Sequence, residues 1–78
     1  AHRTKGYAAN ALNLLCRYCY DRLGMHQLYA MVAIDNAPSI SLFQNGGFKI
    51  SGKLRSWLRQ GESYIDAYIL QRLLTRDM

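Results

Sequence analysis

The most constraining feature of this sequence is a near-continuous apolar segment, Q-L-Y-A-M-V-A-I at positions 27–34. Apolar and polar residues do not alternate along it, which is typical of a strand buried on both faces, as in a parallel sheet covered by helices. The whole chain has only 78 residues, half of them hydrophobic. A chain of this length is one small domain or part of one, and it buries only about 60% of the surface that its unfolded form exposes. The segment therefore predicts covering elements that these 78 residues do not include.

An amphipathic helix is predicted upstream of this strand, from about Gly6 to Leu23. Apolar residues recur with a helical period, and polar residues follow the same period on another side. The apolar series is Ala8, Leu12, Leu15, Cys19 and Leu23, widened by Ala11, Leu14, Cys16 and Tyr18, and the polar series is Asn10, Asn13, Arg17 and Asp21. Gly24 is expected to end the helix as its C-cap glycine.

The second half of the chain predicts one short helix and two strands. Pro38 suits the first turn of a helix over Ser39–Asn45, which Gly46 and Gly47 close. Strands are predicted at Phe48–Leu58 and Ser63–Leu74, although the tail of the second also permits a helix. A tight turn at Gly61 favours an antiparallel hairpin. The strand–helix–strand order further predicts a right-handed crossover and a mixed sheet with at least partly parallel pairing.

Charge and cysteine content exclude some function classes. The net charge is +5, with the basic residues scattered rather than in a run, which favours anionic ligands without marking a nucleic-acid surface. No apolar run approaches the ~20 residues of a membrane span, and no signal peptide is recognisable, so a cytoplasmic protein is expected. Cys16 and Cys19 form a lone C-x-x-C within the helix, lacking the second ligand pair that zinc requires. Both are predicted to be small buried hydrophobes, and no metal site is predicted.

A candidate anion site lies at the start of the long helix, in the segment R-T-K-G-Y-A at positions 3–8. A helix N-terminus presents unpaired N–H groups and a partial positive charge. Gly6 allows a ligand to approach the backbone closely, and Arg3 and Lys5 add positive charge. The segment is thus a candidate cradle for a pyrophosphate group.

Several segments, in order and spacing, resemble the GNAT acetyltransferase superfamily, especially the branch that acetylates ribosomal-protein N-termini and spermidine. R-x-x-G-x-A at positions 3–8 is similar to its acyl-CoA pyrophosphate loop, and L-G-M-H-Q-L at 23–28 to its helix end and strand entry. D-N-A-P-S-I-S-L-F at 35–43 and G-F at 47–48 are similar to its N-x-x-S-x-x-L-Y segment and the G-F that follows. G-K-L-R at 52–55, with Gly61, Tyr64 and Asp66, resembles its closing hairpin.

The resemblance implies acetyl-CoA as cosubstrate, an amine as acceptor, and a set of binding residues. These are Arg3, Thr4, Lys5, Gly6, Tyr7, Ala8, Asn36, Ser39 and Phe43. Main-chain N–H groups of the first six would hold the CoA diphosphate, and Asn36 and Ser39 would lie along the pantetheine arm. Two alternatives stay open: Asn36 as only a turn residue before Pro38, and Ser39 as only a helix-start residue.

The catalytic residues are unknown, because Phe43 stands where the family commonly has a tyrosine that protonates the departing thiolate. His26 and the tyrosines are possible proton donors. The carboxylates Asp35, Glu62 and Asp66 are candidate bases by residue type only, and Asp66 is better explained as a paired strand residue of the hairpin.

The resemblance implies an α+β fold in which residues 1–78 form a partial domain, the acyl-CoA-binding C-terminal half of an acetyltransferase. The family's first strands are absent, so the missing half or a second copy is expected to cover the apolar face. One alternative function is a non-catalytic interaction module, such as a degenerate acetyltransferase half that dimerises through its bare strand edge and apolar helix face. A less favoured one is nucleic-acid binding by Phe48, Trp57 and Tyr64 beside basic residues.

Overall fold

A computed structural model describes residues 2–76 of the chain, with side chains described from residue 8 onward. The elements are, in order, α1 (His2–Leu23), β1 (Gln27–Ala33), α2 (Ala37–Asn45), β2 (Lys49–Gln60) and β3 (Ser63–Leu73). The five predicted elements are all present, and the Ser63–Leu74 segment is a strand rather than a helix. Gly24 and Gly61 end α1 and turn the hairpin, each with a φ of +66° that glycine adopts without strain. No helix in residues 2–76 is long and apolar enough to cross a membrane.

The helix α1 begins at His2, four residues before the predicted start at Gly6. The sequence H-R-T-K contains no proline, and a glycine inside a helix costs only about 1 kcal/mol relative to alanine. Gly6 therefore does not stop the helix from extending over the preceding residues.

The three strands form one sheet in the order β1-β3-β2, and β3 is antiparallel to both neighbours. The predicted α+β architecture is confirmed, but the predicted mixed pairing is wrong for the described residues. The tight turn at Gly61 makes β3 antiparallel to β2, and β3 then lies between β2 and β1. The strands β1 and β2 consequently run in the same direction without being hydrogen-bonded to each other.

Both helices pack on one face of this sheet, which we call the inner face (Leu28, Ala30, Val32, Tyr68, Leu70 and Arg72). The buried core contains Cys16 and Cys19 from α1, Val32, Phe48, Leu70 and Leu74. Ile40 and Phe43 of α2 pack against this core. The prediction that both cysteines are buried is confirmed.

The opposite, outer face of the sheet (Tyr29, Met31, Ile69, Gln71 and Leu73) carries no covering layer within residues 2–76. Along β1 the exposed and less exposed residues alternate, and Tyr29 and Met31 are 68% and 44% exposed. The prediction that β1 is buried on both faces is therefore wrong for the described chain. The apolar run is nonetheless what a strand covered on both sides would require.

The buried face of α1 is narrower than the predicted apolar sector. Leu15 and Leu23 are more than half exposed, whereas Cys16 is fully buried. Asn13, predicted on the polar side, is half-buried and accepts a hydrogen bond from Arg72 of β3. Leu12, Cys16 and Cys19, all three in the predicted sector, lie in the core or pack against it.

The two leucines Leu70 and Leu73 of β3 provide a matched test of this burial. Leu70 is fully buried and Leu73 is 66% exposed. In the 78-residue chain we expect Leu70→Ala to lower the free energy of unfolding by about 2–5 kcal/mol, and Leu73→Ala to lower it by less than about 1 kcal/mol. Urea denaturation measures both values, and equal losses for the two variants would contradict the assignment of inner and outer faces.

Candidate functional site

Both helices begin at the same end of the sheet, beyond the last residue of β1. Three residues separate the end of β1 from the start of α2. The C-cap residue of α2, Gly46, lies beside Arg72, which pairs with Leu28 near the start of β1. Asn13 of α1 also contacts Arg72, and three residues separate the end of α1 from the start of β1. Both helices therefore run opposite to β1. Their N-terminal ends, with unpaired N–H groups and positive partial charge, face the end where β1 stops.

Asn36 and Ser39 meet at the start of α2. Asn36 is the N-cap residue, and its side-chain oxygen Oδ1 accepts a hydrogen bond from the Ser39 main-chain N–H at 3.3 Å. Its carbonyl also accepts the first intrahelical hydrogen bond, from the Ile40 N–H. The cap uses the side-chain oxygen of Asn36 and leaves its amide NH2 group to donate. Asn36 therefore has a local structural role as a helix cap, and this role leaves free the donor group that a ligand carbonyl would need.

The candidate pyrophosphate segment, positions 3–8, lies within α1 rather than in a loop before it. Main-chain N–H groups without an intrahelical partner occur in the first turn of a helix, which here comprises residues 2–5. Gly6, Tyr7 and Ala8 lie in the second turn, where the N–H groups enter the helical ladder. The side chains of Arg3, Thr4, Lys5 and Tyr7 lie outside the described residues, and Ala8 is half-buried.

Phe43 lies one helical turn after Ser39, and its ring turns toward the core. The rings of Phe43 and Phe48 pack edge to face, with centroids 5.2 Å apart and an interplanar angle of 73°. Phe43 has no ionisable proton, and its contact with Phe48 packs the end of α2 onto the sheet. Phe48 is 4% exposed and cannot stack on a nucleobase, which removes one of the three aromatic residues of the nucleic-acid alternative.

Asp66 has a structural position, consistent with the prediction that it is a paired strand residue. Its Oδ1 accepts a hydrogen bond from the Ser56 N–H at 2.8 Å, and its Oδ2 lies 3.8 Å from Lys53 Nζ. Ser56 has a φ of +48° at the irregularity between Leu54 and Leu58. The carboxylate thus satisfies a backbone donor that the distorted strand leaves unpaired.

Cys16 lies against the guanidinium group of Arg72. Burial raises the pKa of the Cys16 thiol above its usual 9.0, while Arg72 acts in the opposite direction with a smaller effect. Cys16 therefore stays protonated at neutral pH and is not a nucleophile. Its position supports the interpretation of a small buried hydrophobe.

Arg72, Asn13 and Gly46 form a hydrogen-bonded group that was not predicted from the sequence. One signal was present: Tyr68, Leu70, Arg72 and Leu74 follow a period of two, so Arg72 points to the same side as buried leucines. An arginine in that pattern requires buried acceptors. Which residues supply them depends on how the helices pack, and no local pattern specifies that.

This arrangement of helices and strands belongs to a known family. Residues 1–69 match the family described as the acetyltransferase (GNAT) domain. The chain is therefore a member of the GNAT acetyltransferase family, as the motifs predicted.

Individual relatives are longer acetyltransferases. The L-amino acid N-acetyltransferase AaaT of Escherichia coli is 32% identical over 72 residues, which are 91% of this chain and 44% of that protein. The spermidine N(1)-acetyltransferase of Vibrio cholerae is 32% identical over 73 residues, 90% of this chain and 42% of that protein. A solved structure of spermidine N-acetyltransferase from Vibrio cholerae, in complex with CoA and spermine, superimposes with a TM-score of 0.82 at 27% identity, over 94% of this chain and 43% of that one. The chain thus spans less than half the length of these relatives.

The position of Cys16 makes a prediction about stability at alkaline pH. Because its pKa is higher in the folded chain than in the unfolded chain, the unfolded chain loses the thiol proton first as the pH rises above about 9. The free energy of unfolding should therefore fall with pH in this range, and more steeply than in Cys16→Ala, which lacks the thiol. Urea titrations between pH 7 and 10 measure both slopes. Identical slopes would show that Cys16 is not desolvated.

Proposed function

We propose that this chain is the acyl-CoA-binding part of an N-acetyltransferase, which transfers acetyl from acetyl-CoA to an amine of a small molecule or a protein N-terminus. The observation that carries the proposal is the shared direction of α1 and α2, whose N-terminal ends face the end of β1. Membership of the GNAT family supports it. The solved relative with CoA and spermine supports the same substrate classes.

The proposed binding residues are those expected from the motifs. The diphosphate site lies at the first turn of α1 rather than along all of positions 3–8. Main-chain N–H groups of the first turn, beside Arg3 and Lys5, would hold the diphosphate, because a helix N-terminus binds anions. Gly6, Tyr7 and Ala8, in the second turn of α1, would line the diphosphate site. The Asn36 amide NH2 would donate to a carbonyl of the pantetheine arm. Ser39 and Phe43 would lie along the same arm, on one face of α2.

The reaction proposed is direct acyl transfer. A neutral amine attacks the thioester carbonyl carbon, the C–N bond forms, the C–S bond breaks, and the CoA thiolate leaves and takes up a proton. The amine gives up one proton in the same process. Catalysis would come chiefly from positioning and from polarisation of the carbonyl. Phe43 has no proton to give, so another group or water would protonate the thiolate, and we assign no catalytic residue.

We further propose that residues 1–78 are a partial domain whose outer sheet face is covered by the rest of the protein. Three apolar residues of that face, Tyr29, Met31 and Leu73, are between 44% and 68% exposed. A cavity of about 340 Å³ opens on the same face, lined by Lys49, Ser51, Gln71 and Leu73. Exposed apolar surface of this extent is typical of an interface. The second candidate, a degenerate half that dimerises, would use this face too. The cytoplasmic location stays a prediction.

Calorimetric titration with CoA tests the proposed activity in the full natural polypeptide. We expect saturable binding, and a dissociation constant about 2- to 10-fold higher in Asn36→Ser, which keeps an N-cap oxygen but loses the amide donor. Asn45→Ser, at the other end of α2, is the matched control and should bind like the parent. Absence of CoA binding by the full polypeptide would refute the proposed function. Equal affinities of the parent and Asn36→Ser would refute only the role of Asn36.

Leu73→Ala tests whether the outer face is covered. In the full polypeptide this substitution should cost about 2–5 kcal/mol of the free energy of unfolding, because a covered Leu73 leaves a cavity when truncated. In the 78-residue chain it should cost less than about 1 kcal/mol. A cost in the short chain that grows with protein concentration would favour the dimer instead. A small cost in both forms, independent of concentration, would contradict a covered outer face.

A further inference from the structure

One arginine joins the sheet to both helices. Arg72 belongs to β3, and its Nη1 donates to the main-chain oxygen of Gly46 at 2.7 Å. Its Nη2 donates to Oδ1 of Asn13 at 3.1 Å. Gly46 is the C-cap residue of α2 and Asn13 lies in the middle of α1. A single part-buried guanidinium group therefore fixes three elements to one another.

The geometry requires arginine. A guanidinium group presents its N–H donors in a rigid planar fork, so two acceptors on different helices are held at a fixed separation. A lysine ammonium is a point donor that cannot hold both in that arrangement. The positive charge also lies at the C-terminal end of α2, where the helix dipole favours a cation.

The space around this group is tight. Gly47 has a φ of +91°, and a Cβ atom added there would lie 3.2 Å from Cζ and Nε of Arg72. A Cβ atom added to Gly46 would lie 2.6 Å from Cδ2 of Leu12. The end of α2, the Arg72 side chain and α1 are thus in close contact. Little freedom remains for α2 to shift along α1.

We propose that Arg72 is a positioning residue that sets the spacing between the N-terminal ends of α1 and α2. This inference rests on the proposed function, in which those ends bind acyl-CoA. From Asn13 to His2 a rigid helix spans about 16 Å, and α2 spans about 13 Å. A change in the angle between the helices at Arg72 is therefore carried to their far ends. Arg72 acts on the ligand through the helices and does not touch it.

The test measures CoA affinity and stability together in the full polypeptide. Arg72→Lys and Asn13→Ala each remove one arm of the group, and Arg17→Lys, an exposed substitution on α1, is the matched control. Asn13→Asp keeps the Oδ1 acceptor and serves as the conservative variant. Calorimetry gives the dissociation constant for CoA at a temperature where thermal denaturation shows each variant to be folded. Hydrogen exchange of the α1 and α2 amides is measured without CoA.

We expect Arg72→Lys and Asn13→Ala to raise the dissociation constant about 2- to 30-fold and to speed exchange in α2. Asn13→Asp and Arg17→Lys should stay within about twofold of the parent. If Arg72→Lys and Asn13→Ala lower the melting temperature but leave the CoA affinity of the folded protein unchanged, Arg72 is only structural and the inference is wrong. If Arg72→Lys does not fold, Asn13→Ala decides. A parent that does not bind CoA would refute the proposed function itself, and unchanged exchange in α2 would separately refute the positioning of the helices.

Discussion

The rest of the structure depends on the central position of β3, which is the last strand among residues 2–76. Its backbone is hydrogen-bonded to β1 on one side and to β2 on the other, and these two strands do not pair with each other. Ala67 and Leu70 of β3 are fully buried. From the same strand, Asp66 holds the irregular part of β2 and Arg72 holds both helices. The three-stranded sheet therefore forms only when residues 63–73 pair with both β1 and β2. Most of the paired residues in the sheet are far apart in sequence.

The order of the strands and helices also determines where the proposed ligand site lies. β1 lies at an edge of the sheet. The turn that follows β1 is therefore also at this edge. Both helices return across the inner face toward the start of β1, so their N-terminal ends point toward the end of the sheet where that turn lies. Asn36 and Ser39 lie there because α2 begins directly after β1. The proposed acyl-CoA site is thus a consequence of the order of the elements rather than of one motif.

Local sequence patterns predicted which segments are helices and which are strands, because turns and helix ends depend on nearby residues. The order and spacing of the motifs also indicated the family. Gly24 and Gly61 adopt the positive φ that marks a helix end and a tight turn. The apolar sector of α1 was predicted too wide, since its pattern does not show that Leu15 and Leu23 are exposed or that Asn13 faces Arg72. The strand order and the single covered face of β1 also depend on distant elements. Of the candidate site, the sequence indicated a turn at Asn36 but not its N-cap role, and it did not indicate the helical position of residues 3–8.

We propose that acyl-CoA binds where α1 and α2 begin. This is tested by the change in backbone amide chemical shifts when CoA is added to the isotopically labelled full polypeptide. Among residues 2–76, we expect the largest changes in the first turn of α1 and in residues 36–39, with little change in residues 53–65 of the hairpin. Largest changes in the hairpin, or on the outer face at residues 49–51 and 71–73, would contradict it.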